Sequence, residues 1–150
     1  MTDLKERLRT DLTAAMKGRD ELRTATLRMV LAAVSAEEVA GKEARVLSDD
    51  EVQAVLRREA KKRREAAEAF ASAGREEQAA REQAEGDVLA DYLPAQLDDA
   101  DLAAIVADVI TTSGASGMKD MGRVMGAAQS AVAGRAEGSR VAAEVRRQLG

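Results

Sequence analysis

The sequence contains no cysteine and no histidine. Disulfides, zinc sites built on Cys or His, cysteine nucleophiles, Ser-His-Asp triads and pH switches centred on imidazole are therefore excluded. Aromatic residues are almost missing too: one Tyr, one Phe and no Trp. A core must then be assembled from Leu, Val, Ile, Met and above all Ala, small side chains that suit helices packed closely together. The single proline, in a chain rich in strong helix formers, points to an all-α fold. No uninterrupted apolar run approaches the roughly 20 residues of a membrane span. The opening Met1-Thr2-Asp3-Leu4-Lys5-Glu6 lacks the basic segment and apolar stretch of a signal peptide. A cytoplasmic protein with no membrane partner is the expectation.

What is present bounds the fold further. A chain of 150 residues, 45% hydrophobic and 33% charged, is apolar enough to fold as one domain or two small ones. Thr2 is placed to cap a first helix with the stripe Leu4, Leu8, Leu12 and Met16, ending near Gly18. Asp20 caps a second, in which Leu22, Ala25, Met29, Val30 and Ala33 share a face widened by Leu27, Leu31 and Val34; Gly41 ends it. Ser48-Asp49-Asp50-Glu51 reads as a capping box. The third helix runs to about Ala73 with Val52, Val55, Leu56, Ala60, Ala67 and Phe70 inward, and Gly74 as its stop. A fourth, from Arg75 to about Tyr92, has the thinner stripe Ala80, Ala84, Val88 and Tyr92, with Leu89 and Leu93 beside it. Gly86 weakens it by roughly 1 kcal/mol relative to Ala.

Pro94 cannot continue a helix and marks a boundary. Asp98-Asp99-Ala100-Asp101 caps a fifth helix carrying Leu102, Ile105, Val106, Val109 and Ile110. After the loop Ser113-Gly114-Ala115-Ser116-Gly117, Met118, Met121, Met125 and Ala128 mark a sixth helix stopped near Gly134. Val141, Val145 and Leu149 mark a seventh. The expectation is a four-helix bundle over residues 1–93 and a small three-helix domain over 94–150.

Little in this inventory assembles into a catalytic site. Glu37-Glu38, Asp49-Asp50, Glu76-Glu77 and Asp98-Asp99 fall at helix ends or polar faces, where solvated charge and dipole complement account for them. The D-x-D-x-D-G pattern of a calcium loop is missing. Ser116-Gly117-Met118-Lys119 fits S-x-x-K without the companion motifs that give it meaning. Neither a Walker A nor a G-x-G-x-x-G pattern occurs. No catalytic residue, metal ligand or cofactor is assigned, and catalysis by this chain alone is not expected.

Charge distribution says more than total charge. A net charge of −4 argues against coating nucleic acid through overall basicity, so any such contact must be local. Arg57, Arg58, Lys61, Lys62, Arg63 and Arg64 form a basic cluster on the third helix, answered on the fourth by Glu76, Glu77, Glu82, Glu85, Asp87 and Asp91. Pairing within the chain is the main reading of that cluster, phosphate contact the secondary one. The last third is locally positive, with Lys119, Arg123, Arg135, Arg140, Arg146 and Arg147 against Asp120, Glu137 and Glu144, of which Asp120 and Glu137 partly offset the cations at the helix starts. If Ser116 caps the sixth helix, Lys119 stands where a capping box wants a carboxylate, and the seventh helix opens near Arg135 and Arg140. Cations at the positive end of a helix dipole are unfavourable unless an anion joins them. Gly122 and Gly126 lie one turn apart on the same side, beside Lys119 and Arg123. Such a face either packs against another helix or offers a flat, basic surface to a nucleic-acid backbone. The Met118, Met121, Met125 stripe reads as core filler.

Several segments together resemble the GatB/YqeY family, specifically its stand-alone YqeY-like members. They are Leu4-Lys5-Glu6-Arg7-Leu8, Leu27-Arg28-Met29-Val30-Leu31-Ala32-Ala33, Leu47-Ser48-Asp49-Asp50-Glu51, Lys62-Arg63-Arg64-Glu65, Ala73-Gly74-Arg75 and Tyr92-Leu93-Pro94-Ala95-Gln96-Leu97. The tail Met118-Lys119-Asp120-Met121-Gly122-Arg123-Val124-Met125-Gly126, then Gly134-Arg135-Ala136, is similar to the family's most distinctive segment. The resemblance implies a helical bundle followed by a three-helix domain related to the tail of the B subunit of the tRNA-dependent amidotransferase. That tail grips tRNA, while other domains carry the catalysis. The resemblance also implies an association with carbon–nitrogen ligase activity using glutamine as amido donor.

The leading expectation is a non-catalytic accessory module for tRNA or structured RNA, with Lys119, Gly122, Arg123, Gly126, Arg135 and Arg140 at the RNA. Recognition would be by shape and backbone, because there are almost no aromatics for bases to stack on. No DNA partner is expected. The alternatives are a component of a glutamine-dependent amidotransferase acting only with its other subunits, or with other translation proteins, and a helical protein-interaction scaffold.

Overall fold

The computed structural model describes residues 3–150, and among them the only regular elements are helical: seven α-helices and one 3₁₀ turn. They form two compact units, one ending at Leu93 and the other starting at Pro94.

In the first unit α1 spans Leu4–Lys17, α2 Glu21–Glu38, α3 Asp49–Ser72 and α4 Glu76–Ala90. Each of the first three starts on a side-chain acceptor, as the orphan amides of a first turn require. Asp3 caps α1, accepting from the Glu6 amide at 2.7 Å; Thr2, the expected cap, lies outside the described residues. Asp20 caps α2 through the Arg23 amide at 3.0 Å. Ser48 and Glu51 form the full reciprocal capping box at the start of α3. Gly74 closes α3 at φ +76°, a left-handed conformation that glycine adopts without a Cβ penalty.

The core of this unit is Leu8, Leu27, Val30, Val34, Leu47, Val52, Val55, Leu56, Leu89 and Tyr92, with Leu4, Leu12, Met29, Leu31, Ala33, Ala60, Val88 and Leu93 packed on it. Several expectations need correction. Met16 is 49% exposed, because α1 turns Ala15 inward in the last turn instead. Ala25 is exposed, and the buried line of α2 is Thr26, Leu27, Val30 and Val34; Thr26 satisfies its hydroxyl by donating to the Leu22 carbonyl at 2.8 Å. On α4, Ala80 is exposed, and Leu89, expected beside the stripe, is the buried residue of the helix. Helix α2 also stops at Glu38, three residues before Gly41, and the Glu38 carbonyl accepts from the Arg45 amide at 3.0 Å. The Glu38 carboxylate binds the Lys5 ammonium at 2.7 Å and the Leu47 amide at 3.1 Å, tying α1 to the chain entering α3. The expected solvated role of Glu38 is thereby corrected.

The single tyrosine seals the end of this unit. Tyr92 is 4% exposed; its hydroxyl donates to Asp11 at 2.5 Å and accepts from Arg23 at 3.1 Å, and the Arg7 guanidinium lies 4.6 Å from its ring centre. Burial, with the Asp11 hydrogen bond, pushes the phenol up to about 12.

In the second unit α5 spans Asp99–Ser113, the 3₁₀ turn Met118–Asp120, α6 Met121–Val132 and α7 Gly138–Leu149. Asp98 caps α5 through the Asp101 amide at 2.7 Å, and Gly114 ends it at φ +70°. The core is Leu102, Val106, Val124, Ala128, Val132, Ala136, Val141 and Val145. The methionine stripe is not its centre. Met118 is 49% exposed, and Met121 and Met125 lie at the margin, because Val124, Ala128 and Val132 form the inward line of α6.

Candidate nucleic-acid interface

The start of α6 differs from the sequence expectation in a way that reassigns its charges. Ser116 does not cap a helix. The chain makes a 3₁₀ turn over Met118–Asp120, closed by the Asp120 amide donating to the Gly117 carbonyl at 3.0 Å, before α6 begins at Met121. The Ser116 backbone amide donates to Asp120 Oδ2 at 3.0 Å. The other oxygen, Oδ1, accepts from Arg123 Nη2 at 3.0 Å, and Arg123 Nη1 reaches the carbonyl of Ser113 at 2.6 Å. The Ser116 amide and the Arg123 guanidinium hold the Asp120 carboxyl below its usual range, with Lys119 adding a smaller electrostatic contribution. Sequence reasoning counts Asp120 only as a charge offsetting the nearby cations and assigns it no place in the site. Its signal is there: an aspartate one position before the first α-helical residue, three before an arginine.

Lys119 is exposed within the 3₁₀ turn and forms no ion pair among the described residues. Gly122 and Gly126 are both exposed on α6, and a Cβ built on either meets nothing within 4 Å. Within this unit no helix packs on that face. Lys119, Gly122, Arg123 and Gly126 therefore follow one another along the 3₁₀ turn and the opening turns of α6.

Arg135 and Arg140 are brought to a different place. Arg135 Nε donates to the Val132 carbonyl at 3.1 Å, closing the end of α6, and its own carbonyl accepts from the Leu97 amide at 2.8 Å. Arg140 Nη2 binds the Leu97 carbonyl at 2.9 Å and Asp99 Oδ1 at 3.0 Å. Both hold the chain between Pro94 and α5 against the α6–α7 turn. An open groove of about 590 Å³ between α5 and α7 is lined by Asp99, Leu102, Arg140, Glu144 and Arg147 among others. Its arginines face carboxylates already: Arg140 pairs with Asp99 and Arg147 with Glu144.

The basic cluster of α3 is largely paired within the chain. Arg58 meets Glu37 at 3.6 Å, Lys61 meets Glu65 at 3.9 Å and Lys62 meets Glu59 at 3.2 Å. Arg63 alone of these four crosses to α4, reaching Glu82 at 3.4 Å and Glu85 at 3.5 Å while also holding the buried Glu59 at 3.5 Å. Arg64 also has a partner, and Arg57 is half-buried. Among the described residues no group of three or more Asp or Glu is arranged to hold a metal ion, and no helix is long and apolar enough to cross a membrane.

The family model for YqeY-like proteins matches residues 5–149, nearly the whole length. The chain belongs to the YqeY-like family. No curated protein shows significant similarity to it. In this YqeY-like chain the match runs through both units and takes in the α6 segment just described, so the open glycine face lies inside the matched region.

Proposed function

We propose that this YqeY-like protein is a non-catalytic cytoplasmic accessory module that binds tRNA or another structured RNA through the unit after Pro94, as the tail of the tRNA-dependent amidotransferase does. The observation that carries the reading is the open face of α6. Glycine inside a helix costs about 1 kcal/mol relative to alanine, and α6 carries two on one exposed face, Gly122 and Gly126, where a Cβ would meet nothing within 4 Å. What the missing side chains give is close access to a helix surface beside an exposed lysine that forms no ion pair among the described residues. A phosphodiester backbone fits such a surface: it is anionic, and it needs proximity more than specific side chains.

The full chain should retard bulk tRNA on a gel, with affinity falling steeply between about 50 and 200 mM salt, as counterion release requires. Lys119→Ala and Gly126→Leu should each weaken it, with circular dichroism confirming retained helicity. No retardation even at about 50 mM salt, or retardation undiminished by Lys119→Ala, would overturn the proposal.

A further inference from the structure

The two cations at the start of α6 have different surroundings, and the difference assigns them different roles. Arg123 has both Nη groups committed. One donates to the Ser113 carbonyl, among the last carbonyls of α5 that have no partner within their own helix. The other donates to Asp120, whose remaining oxygen holds the Ser116 amide. These three contacts close a clasp across the segment from Ser113 to Gly117, which contains two glycines and has large backbone freedom to lose. Lys119 sits between the clasped loop and α6, one residue before Asp120, exposed and without an ion pair.

We infer that Asp120 and Arg123 are positioning residues that hold the Ser113–Gly117 loop, and that Lys119 is the cation that meets a phosphate of the RNA. This rests on the RNA reading above and departs from the sequence expectation that Arg123 itself contacts phosphate. A phosphate at Arg123 would meet a guanidinium whose charge Asp120 already offsets at 3.0 Å and whose orientation is fixed by the Ser113 carbonyl. At Lys119 the ammonium is exposed and forms no ion pair or hydrogen bond among the described residues that a phosphate would have to replace. Arginine also suits the clasp chemically, since its planar fork serves two acceptors at once where a lysine ammonium presents a single point charge.

The test is a double-mutant cycle read by two independent measurements. Binding of bulk tRNA is measured against salt for the wild type, Lys119→Ala, Arg123→Ala and the double variant, and amide hydrogen exchange is followed at Ser116 in each without RNA. Each phosphate contact contributes about 0.7 to 0.9 to the slope of log K, so losing one makes the affinity drop between about 50 and 200 mM salt shallower by about threefold. The slope should fall by one contact in Lys119→Ala, and by no more than that in the double variant. Ser116 exchange should accelerate in Arg123→Ala, Arg123→Lys and Asp120→Asn but not in Lys119→Ala. Additive losses, two contacts missing from the slope of the double variant, or a Ser116 amide as protected in Arg123→Ala as in the wild type would each overturn the inference. Failure of the wild type to bind tRNA would remove the RNA reading and the role of Lys119 with it; the Ser116 exchange rates would still decide the clasp.

Discussion

Replacing Gly126 by alanine separates the stability of the second unit from its proposed work. Gly126 is the sixth residue of the twelve-residue α6, well inside the helix, with no atom within 4 Å of where a Cβ would stand. The substitution therefore removes backbone entropy from the unfolded chain and adds neither a clash nor a packing contact. The propensity difference of about 0.8 to 1.0 kcal/mol should appear almost whole. In a unit of this size that corresponds to a rise in Tm of roughly 4 to 8 °C. Gly86→Ala in α4 is the matched control: its Cβ would stand 3.7 Å from the Arg63 Cβ, an ordinary contact, so it should stabilise the first unit by about the same amount. Urea and thermal melts followed by far-UV circular dichroism, beside tRNA gel shifts, give both readouts. Gly126→Ala should stabilise and bind less; Gly86→Ala should stabilise and bind as before. A destabilised Gly126→Ala would refute the reasoning outright, because it would mean the face is covered. Stabilisation with binding unchanged would show that the glycine leaves no room any ligand uses.

Other consequences can be measured directly. Ser48→Ala removes the acceptor for the Glu51 amide and should lower the stability of the first unit by about 1 kcal/mol in chemical denaturation. Spectrophotometric titration of the single tyrosine should give a midpoint about 12, with a midpoint near 10 showing that the Asp11 contact and the burial do not persist in solution. The Arg147 and Gln148 hydrogen bonds hold Glu144 down to about 2 against its ordinary 4.5. Its contribution to stability is thus fully present above the unfolded value and is lost as pH falls from about 4.5 toward 2, so Glu144→Gln should flatten the acid limb of the unfolding curve over that window.

Much of the fold was legible because helix starts and stops are written in local chemistry. Asp20, Ser48 with Glu51, Asp98, Gly74 and Gly114 each do what their residue types allow, and no tertiary knowledge was needed to read them. Inward faces were harder. The stripe on α2 was misplaced by including Ala25, because alanine is equally at home on either side of a helix and gives the periodicity no sign. The first turns of α6 were misread for a different reason. Serine three residues before a lysine looked like a cap, whereas a 3₁₀ turn precedes α6 and the Asp120 side chain ties back to the Ser116 amide and to Arg123. Charged residues showed the limit most clearly. Lys119, Arg123, Arg135 and Arg140 look alike in a linear sequence, yet only the fold shows that three of them are committed to carbonyls or carboxylates and one is not.

The segregation of the two aromatic side chains has an experimental use. Phe70 and Tyr92 both precede Pro94, and there is no tryptophan, so every near-ultraviolet and intrinsic-fluorescence signal of the protein comes from the first unit. Tyr92 sits in that unit's core against Asp11, Arg23 and Arg7, and its emission should change when that core opens. Far-UV ellipticity, by contrast, weighs the helices of both units. A single denaturation run recorded with both probes thus separates the two folding equilibria without any label, and the offset between the two transitions reports how unequal the stabilities of the two units are.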